Sequence, residues 1–536
     1  MILTTRSRPR PDVELAAGSR ADDVARERLR TLAKSILTRV GTVDEMAQGS
    51  DLRLVDSFVY GGFHVVRELW KRCGLDEAIG RASARVGTDM PLEEALFAMV
   101  ANRLLAPRSK LYCYERWLAE EVYFPEGDEL ELHHLYRAMD LLEREHEVVE
   151  KEVFWKVATL MNLDVDLIFY DTTSLHFEVD FNDKAQAVGN ELAGGRSYPA
   201  QRKRGKSKNG RSDAPQIVVG LAVTRDGIPV RCWIFPGNTV DVTTVKKVKA
   251  DLRGWQLSRC VFVGDAGMVG AANLVELSRG GGRYLLAQPV ARGDEVTTKI
   301  IGRPGRYRDV ADNLRVKEVW WPSKDAGERR KRYAVCFNPK EAERQRKHRE
   351  EILAQLEAEL ASLRVPDDGH SKRMCNLLST PRYKRYLRQT RGGRLAISRK
   401  AVRAAERLDG KWVVPTNDDT LPAEDMALGY KQLQRVEECW RSMKSGLQMR
   451  PVYHHAPHRI HAHVRLCVLA LLIERMAETL CEDTWRNIRD DLNQLKVGIL
   501  QGAAGRVVQV TEPREDTRKR LNQLAIQPPP AVLAAT

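Results

Sequence analysis

The chain has 536 residues, 43% hydrophobic and 30% charged, with a formal net charge of +14, so several domains with ample core are expected beside a polyanionic partner. Nine scattered cysteines without a C-x-x-C pair exclude a disulfide framework and a zinc ribbon and fit a reducing cytosol. The start Met1-Ile-Leu-Thr-Thr-Arg6 lacks the apolar core of a signal peptide, and the longest apolar run, 466–473, is too short to span a bilayer, so a cytoplasmic protein with no membrane contact is expected.

Residues 1–50 are rich in Arg, Asp, Ser and Gly and read as a mobile basic arm. A strand-like patch, Ser57-Phe-Val-Tyr60, precedes a turn at Gly61-Gly62. Residues 91–120 and 132–163 then carry apolar side chains at helical spacing, among them Leu92, Leu96, Met99 and Val100. A helical N-terminal domain over 51–163 is expected, for which DNA binding and a plain scaffold fit equally well.

From Val165 the pattern turns to short β-rich runs. Val165-Asp-Leu-Ile-Phe-Tyr170 ends at Asp171, and 216–224 and 228–235 flank a hairpin signal at Asp226-Gly227. Helical spacing over 240–255, a buried strand over 260–264 ending at Asp265, a helix over 268–279 and a strand over 284–289 complete the order β-β-β-α-β-α-β. That order is the ribonuclease H-like α/β topology: three antiparallel strands, then alternating helices and parallel strands. Its first part is assigned to 164–290. Both aspartates then end strands, at the sheet edge where α/β folds bind ligands. Taken singly, each would be an ordinary turn or cap residue. The irregular 178–215 region holds a basic run, Arg202, Lys203, Arg204, Lys206, Lys208 and Arg211, expected to contact a DNA backbone.

Residues 291–408 are read as an insertion domain of mixed β and α character, containing Trp320 and Trp321, and 409–480 return to the core. In 409–480, Tyr430, Glu437 and Lys444 stand seven residues apart. Two helical turns separate each pair, so one helix would present a hydroxyl, a carboxylate and an ammonium on one face. Such a face suits a divalent metal beside a phosphate, or simply solvent. The run His454, His455, His458, His461 and His463 contains neither cysteine nor carboxylate, which favours a basic surface beside phosphates over zinc ligation. Residues 481–536 are expected to be a helical tail without chemistry.

Two strand-end aspartates and a later helical glutamate suit two Mg²⁺ ions, with Mn²⁺ as a substitute, in a phosphoryl-transfer site; no Gly-rich nucleotide-phosphate loop is present. The chain resembles the DDE transposases of bacterial insertion sequences, in the branch with a Tyr–Arg–Glu–Lys signature. Asp171 in Tyr170-Asp-Thr-Thr-Ser174, Asp265 in Val263-Gly-Asp-Ala-Gly-Met268, and Glu437 match the three carboxylates, while Tyr430 and Lys444 match the signature. Leu433 stands where the signature has its arginine, with Arg435 two residues on. The resemblance implies Mg²⁺ ligation by Asp171, Asp265 and Glu437, and phosphate contacts by Tyr430, Lys444 and Arg435. It implies hydrolysis at element ends, 3′-hydroxyl strand transfer into target DNA, and binding of terminal inverted repeats as a homodimer or higher oligomer on the nucleoid. It also offers Trp320 or Trp321 for stacking on a flipped base. A nuclease of the same fold without strand transfer, and a non-catalytic DNA-binding derivative, are the alternatives.

Overall fold

The computed structural model describes residues 53–187, 195–208, 210–257, 259–268, 270–288, 295–322, 330–363, 372–502 and 505–536. The expected arm, 1–50, lies outside them. The chain divides into two compact units: residues 139–472 with 84–86 form one, and the two terminal regions form the other.

The terminal unit is not purely helical. Arg53–Val59 pairs antiparallel with Lys496–Gly502, which pairs in turn with Gly505–Val510, and that strand with Val532–Ala535. Phe58, Val497, Ile499, Val508 and Val510 form the buried face, the period-2 burial of a sheet with one side covered. The segment read as a tail, 481–536, therefore supplies most of this sheet. Gly61 begins the next helix because the chain turns hard against Leu492, whose carbonyl oxygen would lie 2.2 Å from any Cβ there.

The larger unit is built on one nine-stranded mixed sheet. Its strands in chain order are β1 (Leu167–His176), β2 (Gln216–Val223), β3 (Pro229–Pro236), β4 (Val261–Gly264), β5 (Arg283–Leu286), β6 (Arg308–Ala311), β7 (Leu314–Pro322), β8 (Arg330–Phe337) and β9 (Lys411–Thr416). Their spatial order is β3-β2-β1-β4-β5-β9-β8-β7-β6. The β1–β2 and β2–β3 ladders are antiparallel, and β1–β4 and β4–β5 are parallel. β2 is buried along its whole length, which accounts for its unbroken apolar sequence. Two helices, α1 (Asp241–Gly254) and α2 (Ala271–Ser278), follow β3 and β4. With β1–β5 they bury a core that includes Tyr170, Trp233, Val245, Phe262 and Tyr284.

The segment read as an insertion divides. β6, β7 and β8 extend the core sheet across β9 instead of closing a sheet of their own. Only α3 (Pro339–Ala361) and the pieces up to Glu406 form a satellite, around Ile352, Leu356, Leu377, Tyr383 and Tyr386.

The histidine run is largely interior, which corrects the expected basic surface. His458, His461 and His463 are buried, and only His455 is exposed. Pro457–Cys481 is one helix, and residues 458, 461 and 465 share a face of it at helical spacing. They meet Asp140, Glu143 and Glu150 of Leu132–Leu160. His458 Nε2 lies 3.1 Å from Asp140, His461 Nδ1 3.0 Å from Glu143, and Arg465 donates at 2.8 Å to both Glu143 and Glu150. The acids that the run lacks come from a helix more than 300 residues earlier, so no local pattern could reveal them. Burial alone would raise the Glu143 carboxyl, but Arg465 and His461 hold it far below the carboxylate range.

His146, on the same helix, faces Arg465 and the Glu143 backbone carbonyl. Burial, reinforced by Arg465, pushes its imidazole down to about 2. Below pH ~6.5 the unfolded chain takes up a proton that the folded one refuses. Stability therefore falls on acidification, by at most about 1.4 kcal/mol per pH unit from this group. Urea midpoints at pH 7, 6 and 5 should drop faster for the unaltered chain than for His146→Gln. Parallel curves would remove His146 as the cause.

Candidate active site

The β1–β4 register builds the site. These parallel strands pair from Leu167 with Val261 to Tyr170 with Gly264. Asp171 and Asp265 are the next residues on each, so they stand side by side where β4 stops. Asp171 does not end its strand: β1 continues to His176, paired with β2 alone. The β-branched Thr172 and Thr173 sustain that extension. Asp171 thus sits on a sheet step, partly covered, while Asp265 is exposed. Tyr170 anchors the step from below: its hydroxyl donates to Thr244 at 3.0 Å, and the ring passes so near Gly220 that a Cβ would meet its hydroxyl at 2.5 Å.

Glu437 arrives from a broken helix. The single helix expected over Tyr430–Lys444 is instead α4 (Ala423–Lys431), a tight turn at Gln432 and Leu433, α5 (Gln434–Arg441), and a widened π turn over Ser442–Gly446. The turn is closed by the three-residue bonds Leu433 N to Tyr430 O and Val436 N to Leu433 O, 3.0 and 3.2 Å. Val436, Cys439, Trp440 and Met443 form the buried side, and α5 packs on β1 and β2. This leaves Glu437 exposed.

Glu437 senses both aspartates. Partial burial pushes the Glu437 carboxyl up, and Asp171 and then Asp265 push it further. Burial also raises Asp171, with Lys208 pulling it back. Burial is the main reason the Tyr430 hydroxyl holds its proton far above the tyrosine range, and Asp265 and Glu437 add to it. Burial and then Arg450 lower the Lys444 ammonium, while Asp171 opposes them. Glu437 thus feels Asp171 and Asp265, Tyr430 feels Asp265 and Glu437, and Lys444 feels Asp171. Leu433 is buried, and Arg435 is tied to Glu438 at 3.1 Å on the outer side.

The basic run does not form one cationic face. Arg202 is buried against Asp183 at 2.8 Å, so it is withheld from a DNA backbone. Arg204 donates to the Asp180 and Asp213 carbonyls, and Arg211 pairs with Glu178 and Asp213. Lys203 is half-buried and Lys206 is exposed. Lys208 points into the carboxylates, its Nζ 3.3 Å from Asp171 Oδ1 and 3.1 Å from Asp241 Oδ2.

Asp241, which reaches the same Lys208 ammonium as Asp171, is a residue that the sequence did not single out. β3 runs parallel to β1 because β2 is antiparallel to both, so the helix after β3 starts at the edge that carries Asp171. An aspartate in the first turn there, in Pro236-Gly-Asn-Thr-Val-Asp241, was the available signal, overshadowed by its ordinary role at helix N-termini.

Trp320 is 42% exposed, with its indole N–H on Glu318 at 2.6 Å, whereas Trp321 is half-buried under Arg303. Beside the far end of β1, a groove of about 640 Å³ is lined by His176, Arg202, Arg450, Tyr453, His454 and His455 among others.

Among the described residues, no three His, Cys, Asp or Glu side chains are gathered at metal-ligand spacing. Asp171 and Asp241, which share the Lys208 ammonium, offer carboxylate oxygens, and such oxygens suit a hard divalent ion by chemistry. No helix among the described residues is long and apolar enough to cross a membrane.

Comparison with known proteins gives one family match: the family described as "Transposase DDE domain" covers residues 186–473, more than half of the chain. The match includes Asp241, Asp265, Glu437 and Lys444 and begins after Asp171. No curated protein matches the chain. Among solved structures, the chain is similar to a cryo-EM structure of the piggyBac transposase synaptic complex with hairpin DNA. That similarity is at 7% identity and TM-score 0.32, over 81% of this chain and 70% of that one.

Proposed function

The chain belongs to the DDE transposase family, and from that premise we propose that it cuts DNA at transposon ends and joins the freed 3′-hydroxyls to target DNA, using a ribonuclease H-like core. The observation that supports this reading is the β1–β4 register, which leaves Asp171 and Asp265 as the next residues on two paired parallel strands.

Asp171, Asp265 and Glu437 would hold the Mg²⁺ ions. Bound there, the ions supply charge that activates an attacking oxygen and stabilises the leaving one. The protein's own groups do the rest. Tyr430 stays protonated and donates to a phosphate oxygen. Lys444, with Arg450 near it, offsets phosphate charge on the Asp171 side. The net charge of +14 draws the polyanion in. Acting on both ends of an element in one complex calls for at least two copies of the chain.

The test is to incubate the full chain with Mg²⁺ and DNA carrying the inverted repeats that flank its gene. Strand breaks with 3′-hydroxyls at the repeat ends, followed by joined products, are expected. Breaks that never join would replace transposition with simple nuclease action, and binding without breaks would overturn the enzymatic reading.

A further inference from the structure

We infer that Asp241 is a fourth carboxylate of the cation site, and that the Lys208 ammonium fills the seat between Asp171 and Asp241 until a divalent ion displaces it. This rests on the metal-dependent reading above and adds to it a resident counter-ion and the residue that shares it.

The seat is complete around the lysine. Lys208 Nζ has three protons and meets three oxygens: Asp171 Oδ1 at 3.3 Å, Asp241 Oδ2 at 3.1 Å and the Thr172 carbonyl at 2.8 Å. The other Asp241 oxygen accepts from Thr172 Oγ1 at 2.5 Å. Asp241 is thereby tied to β1 and aimed at Asp171, instead of capping its own helix.

The two segments that bring these groups together are interlocked. Lys203 and Gln216 exchange backbone bonds at 3.0 Å, and Gly237 N donates to Gln201 O at 2.9 Å. The Gln216 side chain donates to Gly237 O at 2.9 Å and to Lys206 O at 3.3 Å. A Cβ on Gly237 would lie 1.8 Å from Gln216 O, and one on Gly205 would lie 2.3 Å from Gly237 O. The backbones approach too closely for any other residue. The chain leading to Lys208 and the turn leading to Asp241 are therefore positioned by one joint.

Charge makes the two occupants exclusive. Two carboxylates and an ammonium leave the seat with one negative charge. Adding a divalent ion beside the ammonium would set like charges a few ångströms apart in a half-buried place, which is strongly unfavourable. The ammonium rides on a flexible four-carbon stem and can swing outwards. Metal arrival then releases a cation beside the bound DNA, where a phosphate can take it.

Mn²⁺ binding to the full, DNA-free chain, followed by electron paramagnetic resonance, reads the competition. Lys208→Met should bind Mn²⁺ about tenfold more tightly, since removing a nearby charge of this kind is worth roughly that factor. Asp241→Asn should bind it about tenfold more weakly. Lys208→Gln repeats the first change with a polar side chain, and circular dichroism verifies that each variant is folded. In parallel, reductive methylation of Lys208, read by peptide mass, should speed up several-fold when saturating Mg²⁺ is added. If Asp171→Asn abolishes Mn²⁺ binding while both Lys208 variants bind like the unaltered chain and Mg²⁺ leaves methylation unchanged, the counter-ion inference fails and the metal site stands. If the unaltered chain binds no Mn²⁺, the metal-dependent reading fails, and this inference with it.

Discussion

Asp265→Ala should lower cleavage of end-sequence DNA at least about a thousandfold, equivalent to losing roughly 4 kcal/mol of transition-state stabilisation. Asp265 is exposed just past the last paired residue of β4, with its neighbours Gly264 and Met268 buried in the core side of the turn. Its removal therefore deletes a charge at the site without opening a cavity, and the fold should be unaffected. DNA binding should persist or tighten slightly, because a negative charge beside a phosphate has gone. Glu438→Gln is the matched control, since Glu438 adjoins Glu437 yet spends its charge on Arg435 at 3.1 Å. It should cleave near the normal rate. Cleavage retained by Asp265→Ala, measured as product ends on a sequencing gel, would remove Asp265 from the site.

The largest stability effect should come from Arg465→Met. Arg465 is buried and donates at 2.8 Å to both Glu143 and Glu150. Removing it strands two carboxylates in the interior, a loss of roughly 3–5 kcal/mol for a broken buried pair. Hydrogen exchange over 139–150 and 457–472 should accelerate accordingly. Adding Glu143→Gln and Glu150→Gln to Arg465→Met should recover much of the loss, because the stranded charges go with their partner. If Arg465→Met exchanges like the unaltered chain, the cation is not what holds these two helices together.

The legible parts of the fold were those with local causes. Short β-rich runs and turn residues marked β1 to β5 in order and with them Asp171 and Asp265, while the seven-residue spacing to Tyr430 and Lys444 marked Glu437. What escaped depended on partners far away in sequence. His458 and His461 look like a cationic surface until Asp140 and Glu143 are placed opposite them. Arg202 looks like a DNA contact until Asp183 is seen to bury it. Leu433 looks like a lost arginine, whereas it fills a buried turn that splits the expected helix in two. Asp241 was hidden for the opposite reason: its local role at a helix start was sufficient to explain it. The reach of β6 to β8 into the core sheet was also invisible, since strand patterns do not reveal which edge they join.

The pairing of Arg53–Val59 with Lys496–Gly502 also sets a timetable for synthesis. The strand over 53–59 leaves the ribosome long before 496–502, a wait of roughly 20–90 s at about 5–20 residues per second. During that interval its backbone edge is open, and a chain that stops early never closes it. Chains that stop before residue 496 would thus carry the strand Arg53-Leu-Val-Asp-Ser-Phe-Val59 without its partner, the feature that drives edge-to-edge aggregation. The two charged residues in that strand, Arg53 and Asp56, are what stands against it in the nascent chain.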